Sequence, residues 1–199
     1  DPAGAPPGGA RRRTRYPPRV QSRRAGSASE SWVTNRATLN AARLAVLGLE
    51  GARRVVGEYF SEGDWSVPNH APRVLFPGDG ADVLEPGYGR ELGMPIQLIV
   101  PDGTWGHARK LLHINPALVA LPRVMLPAGL STRYRVRHAD MPGALSTIEA
   151  VTHALNAIEA PSNFDALLNP FEALIDGQIH AMGADLYARH HLNRKVPWR

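Results

Sequence analysis

Residues 96–112, IQLIVPDGTWGHARKLL, leave few folds open to this chain. The first five of these residues are mostly apolar and predict a short buried strand, which the Pro-Asp-Gly turn at 101–103 ends. Thr104 and Trp105 then open a helix. A strand that ends in a small polar turn and leads into a helix is where α/β proteins commonly bind ligands. The turn is therefore a candidate ligand site.

Three side chains with useful chemistry follow the strand. The carboxylate of Asp102, the hydroxyl of Thr104 and the ring of Trp105 could serve as a base, a hydrogen-bonding group and a stacking wall. A purely structural interpretation is also open, in which Asp102 or Thr104 caps the helix and Trp105 fills the core. Local pattern alone favours the structural interpretation.

Apolar runs that end in proline or glycine turns alternate with segments of helical spacing. The predicted strands are 53–56, 73–76, 82–84, 96–100 and 123–126. The predicted helices are 35–51, capped by Thr34 or Asn35, then 104–115, closed by Pro116, and 147–158, 163–168 and 169–186. We therefore predict an α/β fold in which a mainly parallel sheet is flanked by helices, without an internal repeat or a second domain.

A second polar pair stands at the start of the helix predicted at 147–158. Ser146 and Glu149 have the spacing of a capping box, in which each side chain bonds the backbone of the other residue. The apolar positions that follow keep helical spacing and predict the buried face of the helix. The box accounts for both polar residues without any function, although the same helix start could also receive a carboxylate.

Positive charge is concentrated at the two ends of the chain. Residues 1–30 contain seven Arg against Asp1 and Glu30, and they show no apolar periodicity. Residues 187–199 contain four Arg or Lys and no acidic residue, so the part between the ends is mildly acidic. We predict that 1–30 is a disordered basic segment and that 31–199 is a single domain with a basic C-terminal end. Basic ends indicate a polyanion partner, with nucleic acid favoured over a membrane.

The loop predicted at 131–138 adds basic and aromatic side chains. Its Arg133-Tyr134-Arg135 sequence places one aromatic ring between two cations. This pattern suits a phosphate backbone and a stacked base. It suits equally an exposed strand whose cations pair with acidic neighbours.

Several classes of protein are excluded by what the sequence lacks. The absence of Cys removes disulfides, thiolate metal sites and cysteine nucleophiles, and it fits a reducing compartment. No apolar run approaches the roughly 20 residues of a membrane span, and the start of the chain lacks the apolar segment of a signal peptide. The eight His form no HExxH motif, and no GxSxG, GxGxxG or Walker pattern occurs. We therefore expect a cytoplasmic protein without a metal.

The central unit resembles the signature of the DTW-domain family, with Asp102-Gly103-Thr104-Trp105 followed by Ala108-Arg109-Lys110-Leu111-Leu112. Further segments fall in the order and at about the spacing of that family. They are Asn40-Ala41-Ala42-Arg43-Leu44-Ala45, Leu75-Phe76-Pro77-Gly78, Leu121-Pro122-Arg123, Arg133-Tyr134-Arg135 and Leu145-Ser146-Thr147-Ile148-Glu149-Ala150. Together these segments cover about residues 35–180.

The resemblance implies a tRNA-uridine aminocarboxypropyltransferase. Such an enzyme uses S-adenosylmethionine as a co-substrate and moves its 3-amino-3-carboxypropyl group to N3 of a uridine in tRNA, releasing methylthioadenosine. The implied fold is SPOUT-like, with a C-terminal knot that forms the cofactor pocket. The alternatives are a SPOUT-type RNA methyltransferase and a non-catalytic RNA-binding relative.

The resemblance also implies roles for individual residues. Asp102 is the candidate base, since the N3–H group of uridine is a weak acid. The residues implied to bind the co-substrate are Phe76, Pro77, Thr104, Trp105, Leu126, Pro127, Ser146, Thr147 and Glu149. The residues implied to contact RNA are Arg109, Lys110, Arg133, Tyr134 and Arg135.

Two features depart from the family pattern. Many members carry a Cys-rich, zinc-binding segment near the start, whereas this chain has no Cys, so no metal is predicted. The strand that the family carries ahead of Asn40 is not recognisable within residues 16–34. The resemblance therefore gives no support for the N-terminal part of the family fold in this chain.

Overall fold

Six parallel strands form one sheet within the described part of the chain. The computed structural model describes residues 29–34, 41–136 and 144–192. The strands are β1 (Ser29–Thr34), β2 (Arg53–Val56), β3 (Ala71–Leu75), β4 (Asp82–Val83), β5 (Ile96–Asp102) and β6 (Arg123–Met125). Their order across the sheet is β2-β1-β5-β3-β6-β4, and every neighbouring pair is parallel. All the strands therefore end at one edge of the sheet, which we call the carboxyl edge.

The central strand β5 lies between β1 and β3. All seven of its residues are buried, as expected of a parallel strand that is covered on both faces. Its pairing with β1 continues to Thr34 opposite Asp102, whereas its pairing with β3 ends at Ile99. Beyond Ile99, β5 is therefore paired on one side only.

Helices cover both faces of the sheet. In chain order they are α1 (Ala41–Gly48), α2 (Glu62–Trp65), α3 (Trp105–His113), α4 (Pro116–Val119), α5 (Thr147–Ile158), α6 (Asn169–Met182) and α7 (Ala184–Tyr187). Short 3-10 helices occupy Arg90–Leu92 and Asp165–Leu168, and a π-helix occupies Ala188–Leu192. Leu98 and Val100 of β5 belong to a core with α1, α5 and α6, whereas Ile99 belongs to a second core with α3 and α4. This alternation follows from the two-residue period of a strand.

The predicted α/β class and the mainly parallel sheet flanked by helices are confirmed. The strand that was not recognisable in the sequence of residues 16–34 is present there as β1. Its sequence is SESWVT, in which the first three residues are polar, so the segment gives little local strand signal. β1 is a strand because it pairs on both sides, with β2 and with β5.

The first helix also begins differently from the prediction. Thr34 lies in β1, so the prediction that it caps this helix was wrong. The helix α1 is described from Ala41, and the alternative cap Asn35 lies outside the described residues. The segment predicted to be disordered, 1–30, lies outside them as well, except for its last two residues, which begin β1.

Two prolines and one glycine shift the ends of predicted elements. β5 continues through Pro101, where a break was predicted, because β5 is paired there on one side only and a missing N–H group costs little. Pro116 closes α3 as predicted, but it is also the first residue of α4. α6 ends before Gly183, whose φ of 82° favours glycine, so Leu186 lies in α7 instead of extending the longer helix.

Candidate functional site

The carboxyl edge of the sheet holds a cavity of about 410 Å³. It is bounded by the loops that follow β3, β5 and β6 and by the start of α5. Seven of the residues predicted to bind a co-substrate line it, namely Phe76, Pro77, Thr104, Trp105, Leu126, Pro127 and Thr147. The sheet thus brings together residues from distant parts of the sequence, at the edge where α/β proteins bind ligands.

One wall of the cavity is aromatic. The ring centroids of Phe76 and Trp105 are 5.5 Å apart, with their planes inclined by 59°. Trp105 keeps 37% of its surface exposed, so the alternative in which it fills the core was wrong. Its exposed ring is available to a ligand in the cavity.

The helix start beside this wall is capped as the structural interpretation predicted. Thr104 is the N-cap of α3, and its Oγ1 accepts a hydrogen bond from the backbone N–H of His107 at 3.3 Å. Thr104 also lines the cavity. Capping and a ligand contact are therefore both compatible with its position.

Asp102 is buried behind the rim of the cavity, with 4% of its surface exposed. It does not cap α3, and its neighbours Pro101 and Gly103 line the cavity. The hydroxyl of Thr147 donates a hydrogen bond to Oδ1 of Asp102 at 2.7 Å. Thr147 is the first residue of α5, where the helix dipole favours a negative charge. The carboxylate is thus fixed between the end of β5 and the start of α5.

The capping box at the start of α5 is confirmed. The backbone N–H of Ser146 donates to Oε2 of Glu149 at 2.7 Å, and the Ser146 hydroxyl donates to the same oxygen at 2.6 Å. Glu149 also accepts hydrogen bonds from the hydroxyl of Thr132, at 2.9 Å, and from the backbone N–H of Arg133. Both Ser146 and Glu149 are buried behind the residues that line the cavity. Glu149 therefore ties the loop after β6 to α5.

The predicted RNA contacts fall into two groups. Arg109 and Lys110 are exposed on α3. Arg133 and Arg135 are also exposed, but they form ion pairs with Glu172, at 2.8 Å, and with Asp176 of α6. Hydrogen bonds to these carboxylates raise the pKa of both guanidinium groups. The alternative in which Arg133 and Arg135 pair with acidic neighbours is thus confirmed, although the segment is a loop.

Tyr134, between these two cations, has a different environment. Its ring packs edge-on against Phe171 of α6, with the centroids 5.0 Å apart. This contact attaches the loop to the core that α5 and α6 share. A role for Tyr134 in contacting RNA stays a prediction.

Sequence reasoning missed part of the cavity wall. Met125, Gly129, Leu130 and Ala144 line the cavity together with the predicted residues. The available signal was the turn in which Gly129, with a φ of 89°, follows Pro127 after a strand. Ala144 gave no such signal, because a small apolar residue in a loop has no distinctive pattern.

Neither a metal-binding cluster nor a membrane-spanning helix occurs within the described ranges. Within residues 29–34, 41–136 and 144–192, no group of three or more His, Asp or Glu is arranged to hold a metal ion. In the same part of the chain, no helix combines the length and the apolar content that crossing a bilayer requires.

The fold and the cavity define a class of protein. It is an α/β domain with a ligand-sized cavity at the carboxyl edge of a parallel sheet, bounded by a strand-turn-helix unit. The chain belongs to the DTW-domain family, since the family profile of the DTW domain matches residues 33–179. The matched range contains β5, α3 and the whole cavity wall, and it confirms the resemblance seen in the sequence.

Curated relatives named tRNA-uridine aminocarboxypropyltransferase 2 also match. The protein of Macaca fascicularis is 28% identical over 120 residues, which are 60% of this chain and 40% of the relative. The proteins of Mus musculus and Drosophila melanogaster are 32% identical over 108 residues and 33% identical over 86 residues. These matches cover 53% and 43% of this chain, and 36% and 34% of the relatives. The chain thus spans 40% or less of the length of these relatives, and no solved structure gives a significant match.

Proposed function

We propose that this domain transfers the 3-amino-3-carboxypropyl group of S-adenosylmethionine to N3 of a uridine in tRNA. The observation that supports this most is the cavity in which Trp105 and Phe76 form one wall and the buried Asp102 lies behind the rim. The name of the curated relatives supports the same activity. The proposal includes a SPOUT-like fold, with a C-terminal knot around the cavity, and action on cytoplasmic tRNA.

The cavity suits S-adenosylmethionine in size and in chemistry. Its volume of about 410 Å³ lies within the range of sites that hold drug-sized molecules. Most of its lining is apolar, as adenosine and a methylene chain require, and the hydroxyls of Thr104 and Thr147 supply polar groups. Phe76, Pro77, Leu126 and Pro127 lie at strand ends and would hold adenosine through apolar contact and backbone groups. The proposal includes no metal.

The aromatic wall would hold the amino-acid end of the co-substrate. The face of Trp105 offers apolar contact to the methylene chain and a cation–π interaction to the α-ammonium group. The start of α5 would receive the α-carboxylate, since Thr147 lines the cavity and Ser146 with Glu149 fixes this helix start. The sulfonium of S-adenosylmethionine activates three carbons, and the pocket determines which of them faces the nucleophile.

Asp102 is the proposed base for the uridine N3–H group. It would accept the N3 proton, or orient the base edge, while N3 bonds to the side-chain Cγ and the C–S bond breaks to release methylthioadenosine. Its position supports this role, because the bond from Thr147 fixes its carboxylate next to the residues that line the cavity. Arg109, Lys110, Arg133, Tyr134 and Arg135 stay candidate RNA contacts around this site.

Mass spectrometry of nucleosides tests the reaction. The protein is incubated with S-adenosylmethionine and unmodified tRNA, and the digested nucleosides are weighed. We expect a uridine heavier by one aminocarboxypropyl group, together with methylthioadenosine. A uridine heavier by one methyl group would instead identify a SPOUT-type RNA methyltransferase. An unchanged tRNA, with measurable co-substrate binding, would identify a non-catalytic RNA-binding relative.

A matched pair of variants tests the role of Asp102. Asp102→Asn keeps the size of the side chain, and we expect it to lower turnover about a hundredfold, because a positioned base contributes at least that much. Asp82→Asn is the control, since Asp82 also accepts a hydroxyl hydrogen bond, from Tyr88 at 2.9 Å, and does not line the cavity. Full turnover by Asp102→Asn would remove the role of Asp102 as a base.

A further inference from the structure

We propose that Tyr59 and the neighbouring face of α3 form a docking surface for RNA, on which the Tyr59 ring stacks an unpaired base next to the target uridine. This inference rests on the proposed function. We define the Tyr59 surface as Tyr59, His107 and Lys110. The sequence pointed to the cations of α3, but it gave no indication of Tyr59.

Tyr59 is an exposed aromatic residue in a short loop after β2. Its exposed fraction is 75%, and the next residue, Phe60, is buried in the core that includes α3. A free tyrosine ring presents a π-face to solvent, and such faces stack unpaired bases with little preference for sequence. The loop therefore offers one ring to a partner while its neighbour anchors the backbone.

A buried asparagine fixes this loop. Oδ1 of Asn115 accepts a hydrogen bond from the backbone N–H of Phe60 at 2.7 Å. Its Nδ2 donates to the carbonyl oxygens of Glu58 and of Leu111, each at 2.7 Å. The backbone groups on both sides of Tyr59 are thus bound to the end of α3. A ring on a preorganised loop loses less conformational entropy when it binds a partner.

The Tyr59 surface is continuous with the rim of the cavity. Gly103 lines the cavity, and His107 packs closely against it. A Cβ atom added to Gly103 would lie only 3.2 Å from the Cβ atom of His107. On its other side, His107 borders a small cleft together with Lys110, Gly57 and Glu58. His107 therefore lies between the cavity rim and Glu58, the residue that precedes Tyr59. Both features also lie at the carboxyl edge, since Tyr59 follows β2 and Gly103 follows β5.

The charge of this region suits RNA. The helix α3 holds Arg109 and Lys110 and no Asp or Glu. Lys110 is exposed within the Tyr59 surface, Arg109 is exposed next to it on α3, and Glu58 is the acidic residue that borders the cleft. One aromatic ring beside cations matches a single base and its phosphates. It is small compared with the roughly 800 Å² that a protein partner covers.

Binding of tRNA to substituted proteins tests this surface. Tyr59→Leu keeps apolar area but removes the ring, and we expect it to weaken tRNA binding about tenfold. Tyr59→Phe keeps the ring and restores the affinity. Lys110→Ala makes the negative slope of log affinity against log salt concentration less steep by about one, because one phosphate contact is lost. Anisotropy titrations at several salt concentrations measure all three.

The control is Met94→Ala. Met94 is also exposed, at 48%, but it precedes β5 at the opposite edge of the sheet. We expect it to bind tRNA as the unsubstituted protein does. Wild-type affinity in Tyr59→Leu, or an equal loss in Tyr59→Leu and Tyr59→Phe, would overturn the inference. So would a lack of tRNA binding by the unsubstituted protein.

Nucleoside masses separate this inference from the proposed function. If the unsubstituted protein modifies uridine but Tyr59→Leu has the same affinity and kcat/KM for tRNA, the inference fails and the function stands. If tRNA binding depends on the Tyr59 ring but no uridine gains mass, the docking surface stands and the proposed transfer fails. Co-substrate affinity should be equal in all variants, since the Tyr59 surface lies outside the cavity.

Discussion

Thr147 touches both the cavity and the carboxylate behind it. The residue lines the cavity, and its hydroxyl donates to Asp102 across an interval of 45 residues. Two roles are therefore open to it. The family resemblance implied that Thr147 contacts the co-substrate, whereas the hydrogen bond favours a role in positioning Asp102.

Thr147→Val separates these roles. It removes the hydroxyl at nearly constant volume, and hydrogen bonds to charged groups contribute about 1.5–3 kcal/mol. We expect kcat for the transfer to fall about tenfold or more at an almost unchanged KM for S-adenosylmethionine, and Thr147→Ser to recover most of it. A rise in KM alone would instead support the contact to the co-substrate.

Asn115 has a structural role that is measurable without any substrate. It is buried and makes three hydrogen bonds to backbone groups. Asn115→Ala leaves the Phe60 N–H and the Glu58 carbonyl without this partner, so we expect the free energy of unfolding to fall by about 2–3 kcal/mol. Urea denaturation measures the loss, and Asn163→Ala, at an exposed turn, is the control. An unchanged urea midpoint would show that water satisfies these backbone groups in place of the Asn115 side chain.

At the scale of elements, the loop after β6 is held by two helices. Glu149 of α5 binds its backbone at Arg133, whereas Glu172 and Asp176 of α6 pair with the side chains of Arg133 and Arg135. The two acids are four residues apart and so lie on one face of α6. The buried bonds to Glu149 position the cavity wall, while the exposed ion pairs are weak and exchangeable.

Removing the two acids of α6 tests whether these cations serve RNA. Exposed ion pairs contribute up to about 1 kcal/mol each, so their loss should leave the fold intact. We expect the double variant Glu172→Gln, Asp176→Asn to bind tRNA several times more tightly, because Arg133 and Arg135 then meet phosphates without competition. Glu91→Gln, at another exposed carboxylate, is the control. Weaker binding would indicate that the ion pairs hold the loop in its binding geometry.

At the scale of the whole molecule, β1 joins two parts of the sheet. It lies between β2 and β5, so its removal separates β2 from the rest. We expect deletion of residues 1–34 to abolish cooperative thermal unfolding, whereas deletion of residues 1–28 keeps every pair of β1. A folded protein without residues 1–34 would show that β2 and β5 can close the gap.

The sequence allowed the prediction of those parts that depend on local pattern. The strands β2, β3, β5 and β6 contain apolar residues and are followed by turn residues, and the capping box of α5 is a short-range motif. Positions at strand ends, together with the family resemblance, indicated seven of the residues that line the cavity. β1 was missed because pairing on both sides, and not its own composition, makes it a strand.

The Tyr59 loop was missed for a related reason. Its anchor, the bond between Asn115 and the Phe60 N–H, joins residues 55 apart in sequence. No spacing rule relates such positions, and an isolated Tyr in a polar loop has many structural roles. The ion pairs of Arg133 and Arg135 also cross about 40 residues, so the sequence left their partners open.

The order of the strands has a consequence for biosynthesis. Before β5 leaves the ribosome, β1 and β2 can pair with each other, but β3 and β4 still lack their neighbours, because both pair only with strands that come later. The nascent sheet therefore cannot grow outward from one edge, and long-range closure of this kind slows folding. β5, the strand that joins β1 to β3, also ends in Asp102. A chain that fails to insert β5 consequently lacks the candidate base at the carboxyl edge as well as the fold.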